Sequence, residues 1–578
     1  RNNICESIGW NIKFFDHWIR VDRVLGKKTI KQTDVSSQEN EEKVIGKETS
    51  QKVEAVEQAE ISDQEVEALE RKREEEEQID KIIQSNDLLN SFYVRDLERV
   101  IFNIKEKRCG EALTSYLSEE KVERIDVEKD KEELFRLFNP KRMPYGKWPS
   151  GYPLRSMQQL AVNIAMHKEI KLPIFSVNGP PGTGKTTLLR DIIAANIVER
   201  AMEFCYYTKP DDVFGKSLGS ITWEQYTVDI KEIKDSLKKY GILVASNNNA
   251  AVKNITMELP DKNSLSESYR KIYSYFSGVS DQILKKENGS WGVCAASLGN
   301  RANRSTFMDA FWPLKTKEDG IFNFNQYLIK QKKTNLEREM NWKKAVSSFQ
   351  NAYKEVETEY EKLELYYQYL VLLRKLPEKE RQYQEQKVKS EKNREILDKF
   401  RENFSNKQLE QQELDKEKQK IKRTTFLFSI RLRMKCKSQA IKKYKELEDI
   451  AYSFEQEITK LYEQVLEQEN LCEQDKKRET SYEKQIQECK NKIQNHSKKI
   501  KDINFPDDMV VPNETFLSDL IGENSLEACK KAQDTAPWNS KRINILREKL
   551  FLEAMNLHKA LVENSRFLRA QLDTFSKW

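Results

Sequence analysis

The chain has 578 residues, a length that calls for several domains. Charged residues make up 34% and hydrophobic ones only 38%, so part of the chain must be long, thin and solvated. The 100 basic and 94 acidic residues leave +6, which excludes a wholly basic nucleic-acid coat but not a local basic track.

Residues 1–28 carry Trp10, Phe14, Phe15, Trp18 and Ile19 and read as the end of an N-terminal unit. Residues 29–86 are polar, highly charged and nearly free of aromatics, a linker that becomes partly helical toward its end. Residues 87–150 form an accessory region: SFYVRDLERVIFNI has helical spacing, and YGKWPSGYP is turn-rich. The segment LRSMQQLAVNIAMH (154–167) is again helical, and PIFSVN (173–178) is a short apolar run of buried-strand type. A Gly-rich turn and the helix pattern TTLLRDIIAANIVERA follow. Further strand candidates are ILVAS (242–246), leading into the helix-like AAVKNITMEL, and WGVCAAS (291–297). Strands alternating with helices predict an α/β domain with a parallel sheet over 151–325.

Residues 326–505 differ. No glycine occurs between Gly320 and Gly522, where the usual frequency would place about 14. Between Pro313 and Pro506 the only proline is Pro377. From Ala440 a 3-4 alternation runs through Tyr444, Leu447, Ala451, Phe454, Ile458, Leu461 and Val465. It continues past the polar Gln468–Glu479 stretch to Tyr482, Ile486, Cys489, Ile493, His496, Ile500 and Ile503. Upstream, Trp342, Val346, Phe349, Tyr353, Val356, Tyr360, Leu363, Tyr367 and Leu370 obey the same rule. Such seams need partner helices. The economical topology is an antiparallel coiled-coil hairpin, out over about 335–421 and back over about 438–503, the return arm reaching roughly 95 Å. On this register Tyr360 and Tyr482 lie near one another. The tip, TTFLFSIRLRMKCK (424–437), sets Phe426, Leu427, Phe428, Ile430, Leu432 and Met434 beside Arg423, Arg431, Arg433, Lys435 and Lys437. It either caps the two arms or meets an acidic protein partner or a nucleic-acid backbone. Residues 506–578 read as a helical segment that returns to the globular body.

GPPGTGKT (179–186) fits G-x-x-x-x-G-K-[ST], with a strand candidate before it and a helix after it. A triphosphate needs many oriented donors, and this pattern supplies them. Gly179, Pro180, Pro181, Gly182, Thr183 and Gly184 form the cradle. Lys185 reaches the β/γ-phosphates, the Thr186 hydroxyl is the Mg²⁺ ligand, and Thr187 continues the helix whose positive end faces the anion. ATP and Mg²⁺ are therefore the expected ligands.

These residues and their neighbours resemble a family. IFSVNGPPGTGKTTLLRDIIAANIVERA and ILVASNNNAAVKNITMELP look like motifs I and Ia of superfamily 1 helicases. The similarity is to the AAA-domain branch that includes the nonsense-mediated-decay and Okazaki-flap helicases. The resemblance covers about 150–312, and more weakly 88–150 and 535–578. It implies a RecA-like P-loop NTPase sheet interrupted by the coiled-coil insertion, with Gln158 in MQQLAV as the adenine reader. It also implies single-stranded DNA or RNA gripped by Ser246, Asn248 and Asn249, with Asn300–Arg304 on the same face. An N-cap at an ordinary strand-to-helix turn explains Ser246–Asn249 equally simply.

The chain departs from the pattern in one respect. No Asp-Glu pair follows Thr187, so the acid that completes a motor, with its glutamine and arginine motifs, is expected outside this chain, which opens at Arg1. The expectation is an ATP-dependent helicase or translocase whose fragment binds ATP but scarcely turns it over. The alternative is a coiled-coil structural ATPase of the SMC kind, or a nucleotide-binding scaffold. No apolar run suggests a membrane helix and no secretory signal is evident, so a cytoplasmic protein is expected. The eight cysteines form no C-x-x-C pair, and His17, His167, His496 and His558 are scattered, so neither zinc nor a disulfide framework is expected. Trp291, Phe311 and Trp312 are read as core, with base stacking as the sharper reading.

Overall fold

The computed structural model describes residues 92–118, 126–127, 129–167, 174–179, 183–223, 226–246, 249–284, 289–299, 301–312, 323–331, 333–430 and 434–574. The expected N-terminal unit, the charged linker, Pro180–Gly182, Asn248, Asn300 and Arg431–Arg433 lie outside the described residues, as do the side chains of the hairpin tip. The chain divides into two compact units, one of residues 1–124 and 171–176 and the other of 125–170 and 177–578. In the first, helix Phe92–Lys105 closes on a basic residue at its negative end, and Glu111–Tyr116 follows.

The second unit is built around one central helix, Lys541–Asn564. The Ser540 side chain caps it by accepting a bond from the Ile543 N–H. Ile543, Arg547, Leu550, Ala554, Leu557 and Leu561 form its buried stripe at three- and four-residue spacing, with Phe551 buried beside it. Against that stripe lies the root of a 96-residue helix, Asn335–Ile430, which we call the outgoing helix. Its buried Trp342, Phe349, Val356, Tyr360, Leu363, Tyr367 and Leu370 belong to the same core cluster. Each such side chain is worth about 1.5–3 kcal/mol on burial. Ion pairs border the contact, Lys549–Glu355 at 2.8 Å and Arg542–Glu359 at 2.5 Å, and they show that the two helices run antiparallel.

The upstream seam therefore has a different partner from the one expected. It packs on the central helix, and Tyr360 donates to Pro144 O (2.9 Å) deep in the body. The coiled coil proper begins where this contact ends. Arg374 makes the last body contacts, pairing with Glu132 and Glu514 and lying over the Phe135 ring. Pro377, which lacks a helical N–H donor, follows directly. Beyond it the outgoing helix pairs with the return helix, Met434–Lys501. Tyr383 meets Glu483 (2.6 Å), Asn393 meets Asp475 (2.6 Å), Arg401 meets Glu469 (2.7 Å) and Lys407 meets Glu457 (3.1 Å). As the first number of each pair rises the second falls, which is an antiparallel hairpin. At 1.5 Å per residue the helices measure roughly 140 Å and 100 Å. Leu447, Ala451, Val465, Ile486 and Cys489 are buried on the expected seam. Its polar stretch is a built layer: buried Asp475 accepts from Gln386 and Asn393, and Gln468 donates to Asn393 O. A polar layer of this kind penalises every other register.

The described residues are mostly helical, and they do not form the expected parallel sheet. Regular strand is confined there to one antiparallel pair, Phe214–Trp223 with Tyr226–Ile233, which the apolar-run criterion passed over. The segments 174–178 and 242–246 are extended but find no ladder partner among the described residues. Their apolar side chains are consequently exposed, Leu243 at 93%. A parallel strand is stable only when bonded and covered by neighbours. At 291–297 only an isolated bridge forms, between Gly292 and Tyr275. Trp291 is core, donating to Leu259 O (2.6 Å), and Trp312 is buried in a second cluster with Phe311 packed on it, so none of the three is set out for base stacking. Among the described residues no helix is long and apolar enough to cross a membrane.

Candidate functional site

The Gly-rich loop is anchored at its end by a 20-residue helix, Lys185–Phe204, the loop helix. Gly184 is its N-cap with φ +77° and ψ 30°. A side chain in this left-handed region costs roughly 1–2 kcal/mol. A Cβ there would also stand 2.4 Å from Gln158 Nε2. The left-handed φ is what favours glycine at 184, and a side chain there would also push the Gln158 amide off the loop. At the other end of the loop, a Cβ on Gly179 would lie 2.9 Å from Thr183 Oγ1, so these two residues stand side by side. The first turn of the loop helix carries no acidic residue, and its positive dipole end opens on the loop unopposed.

Two side chains, those of Lys185 and Gln158, converge there. Lys185 folds back across the mouth and donates from Nζ to Gly179 O (2.5 Å). Thr186, also in the first turn, is exposed. Gln158 comes from helix Ser156–Ala165, the glutamine helix, with its amide engaged at both ends. Oε1 accepts from Arg155 N (3.0 Å) and Nε2 donates to Thr183 O (2.8 Å). Gln158, Gly179, Thr183, Gly184 and Lys185 are thereby brought together, and Thr186 follows in the first turn of the loop helix. Thr187 is half-buried where the helix turns inward, and Leu188 is in the core.

Of the residues assigned to nucleic acid, Ser246 and Asn249 are described, and neither belongs to the Gly-rich loop. Ser246 ends the extended segment 242–246 and is exposed, and Asn249 opens helix Asn249–Glu258. Arg301–Arg304 lie at the start of helix Arg301–Phe311. There Asn303 donates to Ser297 Oγ (3.2 Å) and Arg304 to Leu298 O (3.4 Å), which ties this helix to the segment before it.

A buried charged cluster behind the loop helix escaped the sequence reading. Lys147, 2% exposed, pairs with Glu548 at 2.8 Å. Arg547, fully buried, donates to Pro144 O (3.1 Å) and Gly146 O (3.2 Å). Asp191, on the loop helix, accepts from Trp148 N (3.0 Å). Burial pushes the Asp191 carboxyl above its ordinary range, while Lys147 and Arg547 pull it back. The strap 144–148 is thereby clamped by the loop helix, the central helix and Tyr360 of the outgoing helix. Charged residues within the otherwise apolar stripe of the central helix, Arg547 and Glu548, were the available signal. Their partners lie some four hundred positions away. Behind the far end of the loop helix, His558 packs edge-on against Phe204, their ring centroids 4.9 Å apart. Its burial, with Arg200 adding to the effect, pushes the imidazole down to about 3. Among the described residues no cluster of His, Cys, Asp and Glu could hold a metal ion.

No protein-family model matches this chain, and no curated protein or solved structure is similar to it at a significant level.

Proposed function

We propose that the chain carries the ATP-binding portion of a superfamily 1 nucleic-acid helicase or translocase. In this reading 174–178 and 242–246 are strands of a RecA-like parallel sheet, and the hairpin is an insertion in that domain. One observation carries the proposal: a left-handed glycine caps a long helix, with Lys185 at the loop mouth and a glutamine amide seated on the loop backbone. The residues suit a Mg²⁺–triphosphate, since the first turn has no carboxylate to repel it. Lys185 would leave Gly179 O for the β/γ-phosphates, Thr186 would hold Mg²⁺, and Gln158 would read adenine. The bound nucleotide supplies the free energy of hydrolysis. Single-stranded DNA or RNA would lie along Ser246, Asn248 and Asn249, at a strand end and helix start whose polar groups suit phosphate oxygens.

Titration with Mg·ATP tests this reading. Binding that Lys185→Ala abolishes supports it, and an affinity indifferent to that substitution refutes it. A second reading, the coiled-coil structural ATPase, is favoured by the arm beyond Pro377, a paired two-helix rod. ATP-dependent tethering of duplex DNA without strand displacement by the full-length protein would select it over the helicase.

A further inference from the structure

The bond from Gln158 Nε2 to Thr183 O gives Gln158 a task apart from recognising a base. A trans peptide is planar, and its C=O and N–H point out of opposite edges. No described peptide is cis. A carbonyl held toward Gln158 therefore sends the next N–H, that of Gly184, away from it. Gly184 is the last residue of the phosphate cradle and the cap of the loop helix. Gln158 is itself held by the Arg155 N–H on Oε1, and its helix is fixed to the body. Ser156 Oγ donates to Ala532 O (2.8 Å), and Arg155 pairs with Asp534 at 3.3 Å. The Cβ-free face of Gly184 lets the amide approach this closely.

We propose that Gln158 is a positioning residue of the phosphate loop, orienting the Thr183–Gly184 peptide so that the Gly184 N–H faces the anion before any nucleotide arrives. This rests on the ATP-binding reading above. It extends that reading by making Gln158 matter for a ligand that has no base. The two tasks are compatible. A primary amide has two N–H donors and two carbonyl lone pairs, and the loop and Arg155 take one of each. The other N–H and lone pair can meet the edge of a purine.

Inorganic tripolyphosphate with Mg²⁺ separates the tasks, because it presents the phosphates alone. The assay is calorimetric titration of the 578-residue chain with Mg·tripolyphosphate and Mg·ATP. Gln158→Ala removes the amide, and Gln158→Met removes it while keeping length and helix propensity. A single neutral hydrogen bond is worth about fivefold in affinity. Both variants should weaken tripolyphosphate by about fivefold and ATP by at least as much, with the unfolding midpoint of the Met variant near wild type. Tripolyphosphate affinity unchanged in both variants, with ATP alone weakened, would overturn the inference and leave Gln158 a base reader only. Failure of the wild-type chain to bind either ligand would overturn the ATP-binding reading, and this inference with it.

Discussion

Glu548→Ala tests the electrostatics of the core. Lys147 Nζ has two partners, Glu548 Oε1 at 2.8 Å and Trp148 O at 3.2 Å. Removing the carboxylate leaves an ammonium group at 2% exposure with one carbonyl. Breaking a buried ion pair from one side costs about 3–5 kcal/mol, because the remaining charge is uncompensated. Here the lower end should apply. Asp191 lies close enough that Lys147 already stabilises its ionised form, so its carboxylate takes up part of the orphaned charge. The expected loss is about 3 kcal/mol. Replacing both partners, Lys147→Met with Glu548→Leu, should return stability to within about 1 kcal/mol of wild type, since no charge is then stranded. The chain is multi-unit, so the probe must report the body alone. Tryptophan emission does so once Trp10 and Trp18 are replaced by phenylalanine, because Trp148, Trp291, Trp342 and Trp538 are all buried there. Urea titrations followed by that emission give the two differences. A single-variant loss below about 1 kcal/mol, or a double variant as unstable as the single, would refute the reasoning.

Lys185→Ala should remove tight ATP binding while leaving the urea midpoint nearly unchanged, because the side chain is exposed and reaches across the loop mouth to Gly179 O. The 578-residue chain should bind ATP and release phosphate negligibly, as a coupled phosphate assay would register. Robust release lost on Lys185→Ala would instead reveal an acidic catalyst within the sequence. His558 should make the body acid-sensitive. Its folded pKa of about 3 lies below the ordinary value near 6.5, so between the two only the unfolded chain takes up the proton. The stabilisation is complete above about pH 6.5 and declines as pH falls, by up to about 1.4 kcal/mol per unit. His558→Phe should flatten that part of the pH profile, and an unchanged slope from pH 6.5 to 5 would count against it. In a cysteine-free background, Tyr383→Cys with Glu483→Cys should cross-link within one chain at high dilution, whereas cysteines at Tyr360 and Tyr482 should not.

The helical hairpin was legible because two signals agreed, the missing glycines and an unbroken 3-4 alternation. Its root was misassigned for a physical reason. Trp342 through Leu370 and Ala440 through Ile503 carry the same periodicity, and periodicity specifies a stripe on a helix without naming what covers it. The aromatic content of the upstream stripe was the clue to a globular partner, since Tyr353 and Tyr360 pack on Tyr145 in the strap. The glycine that ends the Gly-rich loop was legible because it has a local cause, a left-handed cap. The Gln158–Thr183 bond was not, because sequence cannot say which backbone atom a side chain will reach. For the strand candidates, an apolar run such as ILVAS records a demand for cover and does not supply the neighbour that meets it. Lys147 and Glu548 offered no local pattern at all, since their meaning lies in a contact between distant parts of the chain.

The hairpin also changes how far apart residues are for purposes of folding. Cys489 Sγ sits 3.7 Å from Leu372 O, so the two ends of the arm are neighbours. Once the arm has zipped, the chain between these points acts as a short tether. The search that brings the central helix onto the root of the outgoing helix then spans a much shorter effective loop than the sequence does. Closure entropy grows only with the logarithm of loop length, so the body tolerates an arm of almost any size. Residues removed in equal number from both strands of the hairpin, in whole heptads, would shorten its reach and leave the docking of the central helix untouched. The arm is thus free to diverge in length between related chains while the body beneath it stays fixed.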